Sequence, residues 1–389
     1  MKIVLSGVET HNKGAELMLY AILQEIERRY PDAKVYLPFS RNKKKKGYVT
    51  TLLDFRPTPF SKFVSKCRLN GVFYYLRLPK TILYSTNIVR GADWFIDGSG
   101  FAFSDQWGIN DESITKWHCM LSALYKDNCK IVFLPQAFGP AEKNNTKRIL
   151  SVLNKYSDVI MPREKISYDY LERSGVIDMR KAKIFTDFTS LVEGKFPSKY
   201  EHLRNGICVI PNMRMIDKGA ISFESYIQML TSIINEGKSR GHIVYLLNHE
   251  GTKDEQLAYR CQKNIASEIE VVTGLNALEV KGLISSAYLV VTSRFHGLAS
   301  ALNSGVPSLA TSWSHKYEEL FKDYELPNCV LPIDDITKAV EKVALFLDKE
   351  KNNDIRNHLS LQVHKIKDQT KDMWNLIWNL PESMSNGSV

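Results

Sequence analysis

The stretch LVVTSRFHGLASALNSGVPSLATSWSHK, residues 289–316, decides how the chain reads. Leu289-Val290-Val291-Thr292 is a short apolar run rich in β-branched residues, the composition of a buried strand. It breaks at Ser293-Arg294-Phe295-His296, and the small residues from about Gly297 to Asn303 predict a helix. Gly305 ends that helix, Pro307 opens the next strand, and His315 and Lys316 follow that strand. This is strand–helix–strand with its titratable residues gathered where strands end. In open parallel sheets, ligands bind outside the carboxyl ends of strands and against helix N-termini. Arg294, His296 and Lys316 are therefore expected to face one pocket, and three cation-capable side chains beside a helix start predict an anion as its ligand.

The same punctuation recurs along the chain. Residues 3–6 predict a strand, and a helix from Gly14 to Arg29 follows, with Ala15, Met18, Leu19, Ile22 and Ile26 on one apolar face. Pro31 stops it before a strand at 34–37. This βαβ start lacks the GxGxxG dinucleotide fingerprint. Lys13 at the helix start opposes the helix dipole, and it reads either as a solvated lysine or, with Asn12, as a polar contact to an anion bound there. A strand at 94–96 ends in Asp97-Gly98-Ser99-Gly100, and one at 130–134 runs into Gln136 and the Gly139-Pro140 loop. Others are expected at 158–161, before Pro162-Arg163-Glu164, and at 183–186, before Asp187. After a polar linker between Leu191 and Arg204, a second series follows at 207–210, 243–247, 271–272 and 289–292. The expected fold class is α/β, two Rossmann-like doubly wound domains facing a cleft, with a helical C-terminal tail. The domains are expected at 1–195 and 196–340, with a tail at 341–389 that packs back on the N-terminal domain.

Composition bounds the partners. A chain of 389 residues is long enough for two cores, and its net charge of +9 points to an acidic partner. No zinc-finger, RNA-motif or heptad pattern favours nucleic acid. The six cysteines are scattered without CxxC pairs, and no compact His/Cys/carboxylate set suggests a metal. A reduced, cytoplasmic setting is expected, since no run has the length of a signal or membrane-spanning segment. The less regular residues 41–90, with the basic run Arg41-Asn42-Lys43-Lys44-Lys45-Lys46 and aromatic residues up to Tyr75, read as a loop and helices packed on the domain edge or, alternatively, as a peripheral contact with the inner face of a membrane or a lipid-linked substrate.

Several separated pieces, in order, resemble the polysaccharide pyruvyl transferase family. They are Asn12-Lys13-Gly14-Ala15-Glu16, Asp97-Gly98-Ser99-Gly100, Gln136 to Pro140, Met161-Pro162-Arg163-Glu164, Asp187, Ser293-Arg294-Phe295-His296, Gly305-Val306-Pro307 and Lys316. The resemblance covers most of the chain and implies a two-domain fold like that of GT-B glycosyltransferases. It implies transfer of the enolpyruvyl unit of phosphoenolpyruvate (PEP) to two hydroxyls of a sugar, in bacterial-type surface polysaccharide biosynthesis. PEP is then a co-substrate, with no cofactor or metal. The N-terminal domain takes the acceptor side and the C-terminal domain the donor side. The donor residues fall on Arg163, Arg294 and Lys316, with His296 as general acid. Acceptor or cleft candidates are Asn12, Lys13, Gly14, Asp97, Gly98, Ser99, Gly100, Asp105 and Gln136, and the acceptor sugar can be lipid-linked. Two other functions fit the same residues: a glycosyltransferase using a nucleotide sugar, and a non-catalytic protein binding anionic glycans or a membrane surface.

Overall fold

Alternation within the strands shows why sheets form here. In residues 207–210, Ile207 and Val209 join one apolar core while Cys208 and Ile210 join another. A strand with both faces apolar must lie between two helical layers. The computed structural model of the chain describes residues 1–10, 12–38, 52–55, 91–265, 268–312 and 316–381, together with Phe63 and Cys67. The expected membrane surface at 41–90 lies mostly outside these residues. No described helix is long and apolar enough to cross a membrane. By its contacts the chain divides into two compact units, Met1–Thr10, Met18–Phe188 and Lys371–Val389 in the first, His11–Leu17 and Thr189–Thr370 in the second.

In the first unit, β1 (Lys2–Ser6), β2 (Lys34–Pro38), β3 (Leu52–Phe55), β4 (Trp94–Asp97), β5 (Lys130–Gln136) and β6 (Val159–Pro162) pair in parallel in the order 3-2-1-4-5-6. Among the described residues its helices are the greater part of α1 (Lys13–Arg29), then α2 (Asp111–Lys126), α3 (Asn144–Tyr156) and α4 (Lys165–Ser174). β3 falls where the sequence reads as irregular. The strand expected at 183–186 does not form. Its stretch meets β6 through a bridge at Ala182 and a few main-chain bonds, and Ile184 is exposed, so among the described residues nothing covers its outer side.

In the second unit, β7 (Ile207–Ile210), β8 (Val244–Leu247), β9 (Glu270–Val272), β10 (Leu289–Thr292) and β11 (Ser308–Ala310) pair in parallel in the order 11-10-7-8-9. Its helices are α5 (Arg214–Asp217), α6 (Phe223–Ser239), α7 (Gly251–Lys263), α8 (Ala277–Ser285), α9 (Phe295–Leu302), α10 (Lys316–Asp323), α11 (Ile336–Leu347) and the first part of α12 (Lys349–Trp378). Asn276 and Glu279 form the capping box that their spacing predicts at the start of α8. In each sheet the first strand lies in the middle and the order reverses beside it, between β1 and β4 and between β7 and β10. That reversal is the switch point at which open parallel sheets bind ligands.

The end of α12 belongs to the first unit. Trp378 stacks on Trp374 and meets Trp94 and Tyr30 edge-on, and its indole N–H donates to Glu25 at 2.8 Å. Glu25 also holds Arg28 through both carboxylate oxygens. Trp378→Ala removes a buried ring and the indole donor to a buried carboxylate, so it is expected to lower unfolding free energy by about 3–5 kcal/mol. Chemical denaturation of the full chain checks this.

Candidate functional site

The second sheet's switch point is closed by one serine. The Ser293 carbonyl, just past β10, accepts from Asn212 Nδ2 at 2.6 Å, from the turn after β7, and from Tyr317 OH at 2.7 Å, on α10. Its hydroxyl bonds Tyr226 OH at 2.5 Å and also Thr311, which follows β11. Arg294 N–H donates to Thr292 Oγ1 at 3.0 Å. The turn is thereby fixed from four elements, and the side chains of Arg294, Phe295 and His296 leave it in a determined direction.

Arg294 enters a paired site. Its Nε donates to Asp254 Oδ2 at 2.7 Å, Nη2 bonds the same oxygen, and Nη1 bonds Glu250. Burial lowers the guanidinium to about 10, which leaves it charged at neutral pH. Burial also raises the Asp254 carboxyl to about 7, opposed by the Met213 N–H it accepts from and by the charge of Arg214. Neither carboxylate is among the expected site residues. Glu250 is the N-cap of α7 and Asp254 lies in its first turn, about forty positions away in sequence, and the only local signal is their four-residue spacing.

His296 packs on a backbone rather than on side chains alone. A Cβ at Gly14 would stand 2.3 Å from His296 Nδ1, so the imidazole lies against the first turn of α1 in space that only glycine leaves open. Asn12 caps that turn, its Oδ1 accepting from Gly14 N at 2.8 Å and Ala15 N at 3.2 Å, while its Nδ2 donates to Glu250 at 2.8 Å. Lys13 pairs with the buried Glu16 at 2.9 Å. An acidic residue in the same turn thus meets the dipole conflict read from the sequence, with no need for a bound anion. Phe295 packs edge-on against His296, and Lys316 Nζ lies 5.6 Å from the Phe295 ring. Asn12, Lys13, Gly14, Arg294, His296 and Lys316 therefore all belong to the second unit.

The remaining candidates lie in the first unit. Asp97 is fully buried, accepting from Ser99 N at 3.1 Å, Ser99 Oγ at 3.2 Å and Gln136 Nε2 at 3.2 Å. Burial raises its carboxyl above the ordinary value. Gly7 and Gly98 let the chain pass close to Ser99 and to Val8, and Gly100 lies over Met18. Asp105 clamps the loop before α3 through the N–H groups of Glu142, at 2.9 Å, and Lys143, at 3.3 Å. Burial works against its charge, yet hydrogen bonds from Thr146, Glu142 and Lys143 leave it below the ordinary value. Arg163 is buried beside an equally buried Glu164, with Nε 3.3 Å from that carboxylate, which is the structural alternative to an anion contact.

The sequence also offers His249, at a neighbouring strand end, as a residue lining the cleft. It is 4% exposed at the end of β8, and its Nδ1 has no hydrogen-bond partner among the described residues. Burial, then the charges of Arg294, His296 and Lys13, hold its pKa well below 6.5. It is neutral in the fold and protonated below about pH 6.5 in the unfolded chain, so it removes stability as pH falls through 6.5. Wild type is expected to lose about 1.4 kcal/mol per pH unit from this group below that point, and His249→Gln to lose correspondingly less. Denaturation curves at pH 7.5, 6.0 and 5.0 measure the difference.

Comparison with known proteins gives a family and a fold. The family model described as polysaccharide pyruvyl transferase matches residues 12–315. Comparison with curated proteins gives no match. Among solved structures, the UDP-GlcNAc 2-epimerase of Methanocaldococcus jannaschii aligns with a TM-score of 0.59 at 11% identity, covering 97% of this chain and 100% of that one. The UDP-GlcNAc 2-epimerase of Neisseria meningitidis, bound to UDP-GlcNAc, aligns at 0.58 with 9% identity over 97% and 100%. A spinosyn rhamnosyltransferase complexed with spinosyn aglycone aligns at 0.54 with 11% identity over 97% and 100%. At these identities the likeness establishes the fold, two Rossmann-like domains of the GT-B class.

Proposed function

The chain belongs to the polysaccharide pyruvyl transferase family, and on that premise we propose that it joins the enolpyruvyl unit of PEP to two hydroxyls of one sugar, forming a cyclic pyruvate ketal and releasing phosphate. The observation that carries this is the packing of His296 on Gly14 beside Arg294, at the switch point of the second sheet. A protonatable ring is held there with two cations, Arg294 and Lys316, on the same short stretch of chain.

PEP presents a carboxylate and a phosphate on three carbons. Arg294 grips one of these groups through guanidinium N–H donors, and Lys316 offsets charge as the phosphate departs. His296, made more basic by the bound anions, delivers a proton to the methylene carbon, which becomes a methyl group and leaves C2 electrophilic. One sugar hydroxyl adds to C2, the C2–O bond to phosphate breaks, and the second hydroxyl closes the ketal. Of the two hydroxyl protons released, one balances the proton placed on the methyl carbon and the other leaves with phosphate. The charge of +9 suits an acceptor on an anionic carrier, such as a lipid-linked saccharide.

The similar structures bound to UDP-GlcNAc favour one other reading, transfer from a nucleotide sugar. Incubation with PEP and candidate acceptors, against UDP-sugars with the same acceptors, separates the two. Acceptor-dependent phosphate release from PEP is expected, and release of UDP in its place contradicts the proposal. His296→Ala is expected to lower kcat by about 10²–10⁴-fold while PEP still binds. Arg294→Ala is expected to weaken PEP binding, and Gly14→Ala to lower kcat by displacing the imidazole. Near-normal turnover in His296→Ala contradicts its role as the acid.

A further inference from the structure

Arg294 is held by two carboxylates that differ in kind. Asp254 is 1% exposed, bonds both Nε and Nη2, and also accepts from Met213 N at 3.0 Å. It anchors the guanidinium from behind. Glu250 is 30% exposed and bonds only Nη1. It stands at the N-cap of α7, and its side chain makes no cap bond. Its second oxygen accepts from Asn12 Nδ2 at 2.8 Å, and Asn12 caps the turn of α1 on which His296 rests.

We propose that Glu250 is an internal stand-in for the substrate's anionic group. In the ligand-free protein it occupies the outer face of Arg294. A small carboxylate-bearing phosphate ester displaces it there and releases Asn12 at the same time. Glu250 is a positioning residue that acts through Arg294 and sets donor affinity. It also favours donors with a second anionic group, because the gain of one new contact on Arg294 is offset by the loss of the old one. A singly charged ligand recovers little by the exchange. This inference rests on Arg294 as an anion contact, as proposed above.

Calorimetric titration of the full chain with PEP, and separately with inorganic phosphate, tests it in wild type, Glu250→Gln, Glu250→Ala and Arg294→Gln. Both Glu250 variants are expected to bind PEP about tenfold more tightly than wild type, the equivalent of one charge-assisted hydrogen bond no longer given up. Inorganic phosphate should gain measurable binding in the same variants. A residue with a merely structural role would weaken binding when replaced, so a gain is diagnostic. The second variant keeps the test decisive should the first fail to fold. PEP binding that Arg294→Gln abolishes, but that both Glu250 variants leave unchanged or weaken, overturns this inference alone. Absence of PEP binding in every protein overturns the donor reading and the inference with it.

Discussion

The Ser293 carbonyl gathers the second sheet's switch point into one rigid turn. Asn212 reaches it from the end of β7 and Tyr317 from α10, while the Ser293 hydroxyl ties in Tyr226 of α6 and the Thr311 side chain beyond β11. Each partner is itself buried, so none can turn away to water without leaving a polar group unmet. This network makes the residues after β10 a platform instead of a flexible loop. Arg294 and His296 inherit their directions from it, and the cost of holding a charged and a titratable side chain so deep is met by packing elsewhere in the two apolar layers.

Around that platform the electrostatics are balanced before any ligand arrives. Arg294 has Asp254 and Glu250, Lys13 has Glu16, and His249 stays neutral because burial and its cationic neighbours oppose its charging. A pocket with uncompensated cations would repel itself and destabilise the fold. Compensation by carboxylates of unequal burial keeps one of them exchangeable. Affinity for an anion then depends on displacement as much as on attraction, and the neutral His249 adds no charge to compete with His296.

Much of this was legible in the sequence because strands and helix boundaries are local. Val290, Cys208 and Tyr245 read as members of buried strands from their neighbours alone, and Gly175 and Asn276 mark helix ends by their own conformational chemistry. The placement of Arg294 and His296 just past a strand was legible too, since the apolar run 289–292 ends immediately before them. What the sequence hid was partnership at long range. Glu250 and Asp254 meet Arg294 only because β8 and β10 both flank β7. The strand order, which no local pattern specifies, decides that. Gly14 offered a faint signal: a glycine in the first turn of a helix, where alanine is the better helix former, implies a close neighbour. Asp97 was legible as the carboxylate at a strand end, while its burial and its bonds from Ser99 were not.

Proton delivery to PEP by a residue of this platform is the central claim, and isotope incorporation tests it most directly. In D2O with PEP and an acceptor sugar, mass spectrometry of the product should find one solvent deuterium in the ketal methyl group, at a rate that falls sharply in His296→Ala. A product with no pyruvyl methyl, or a methyl labelled at an unchanged rate without His296, would contradict the account.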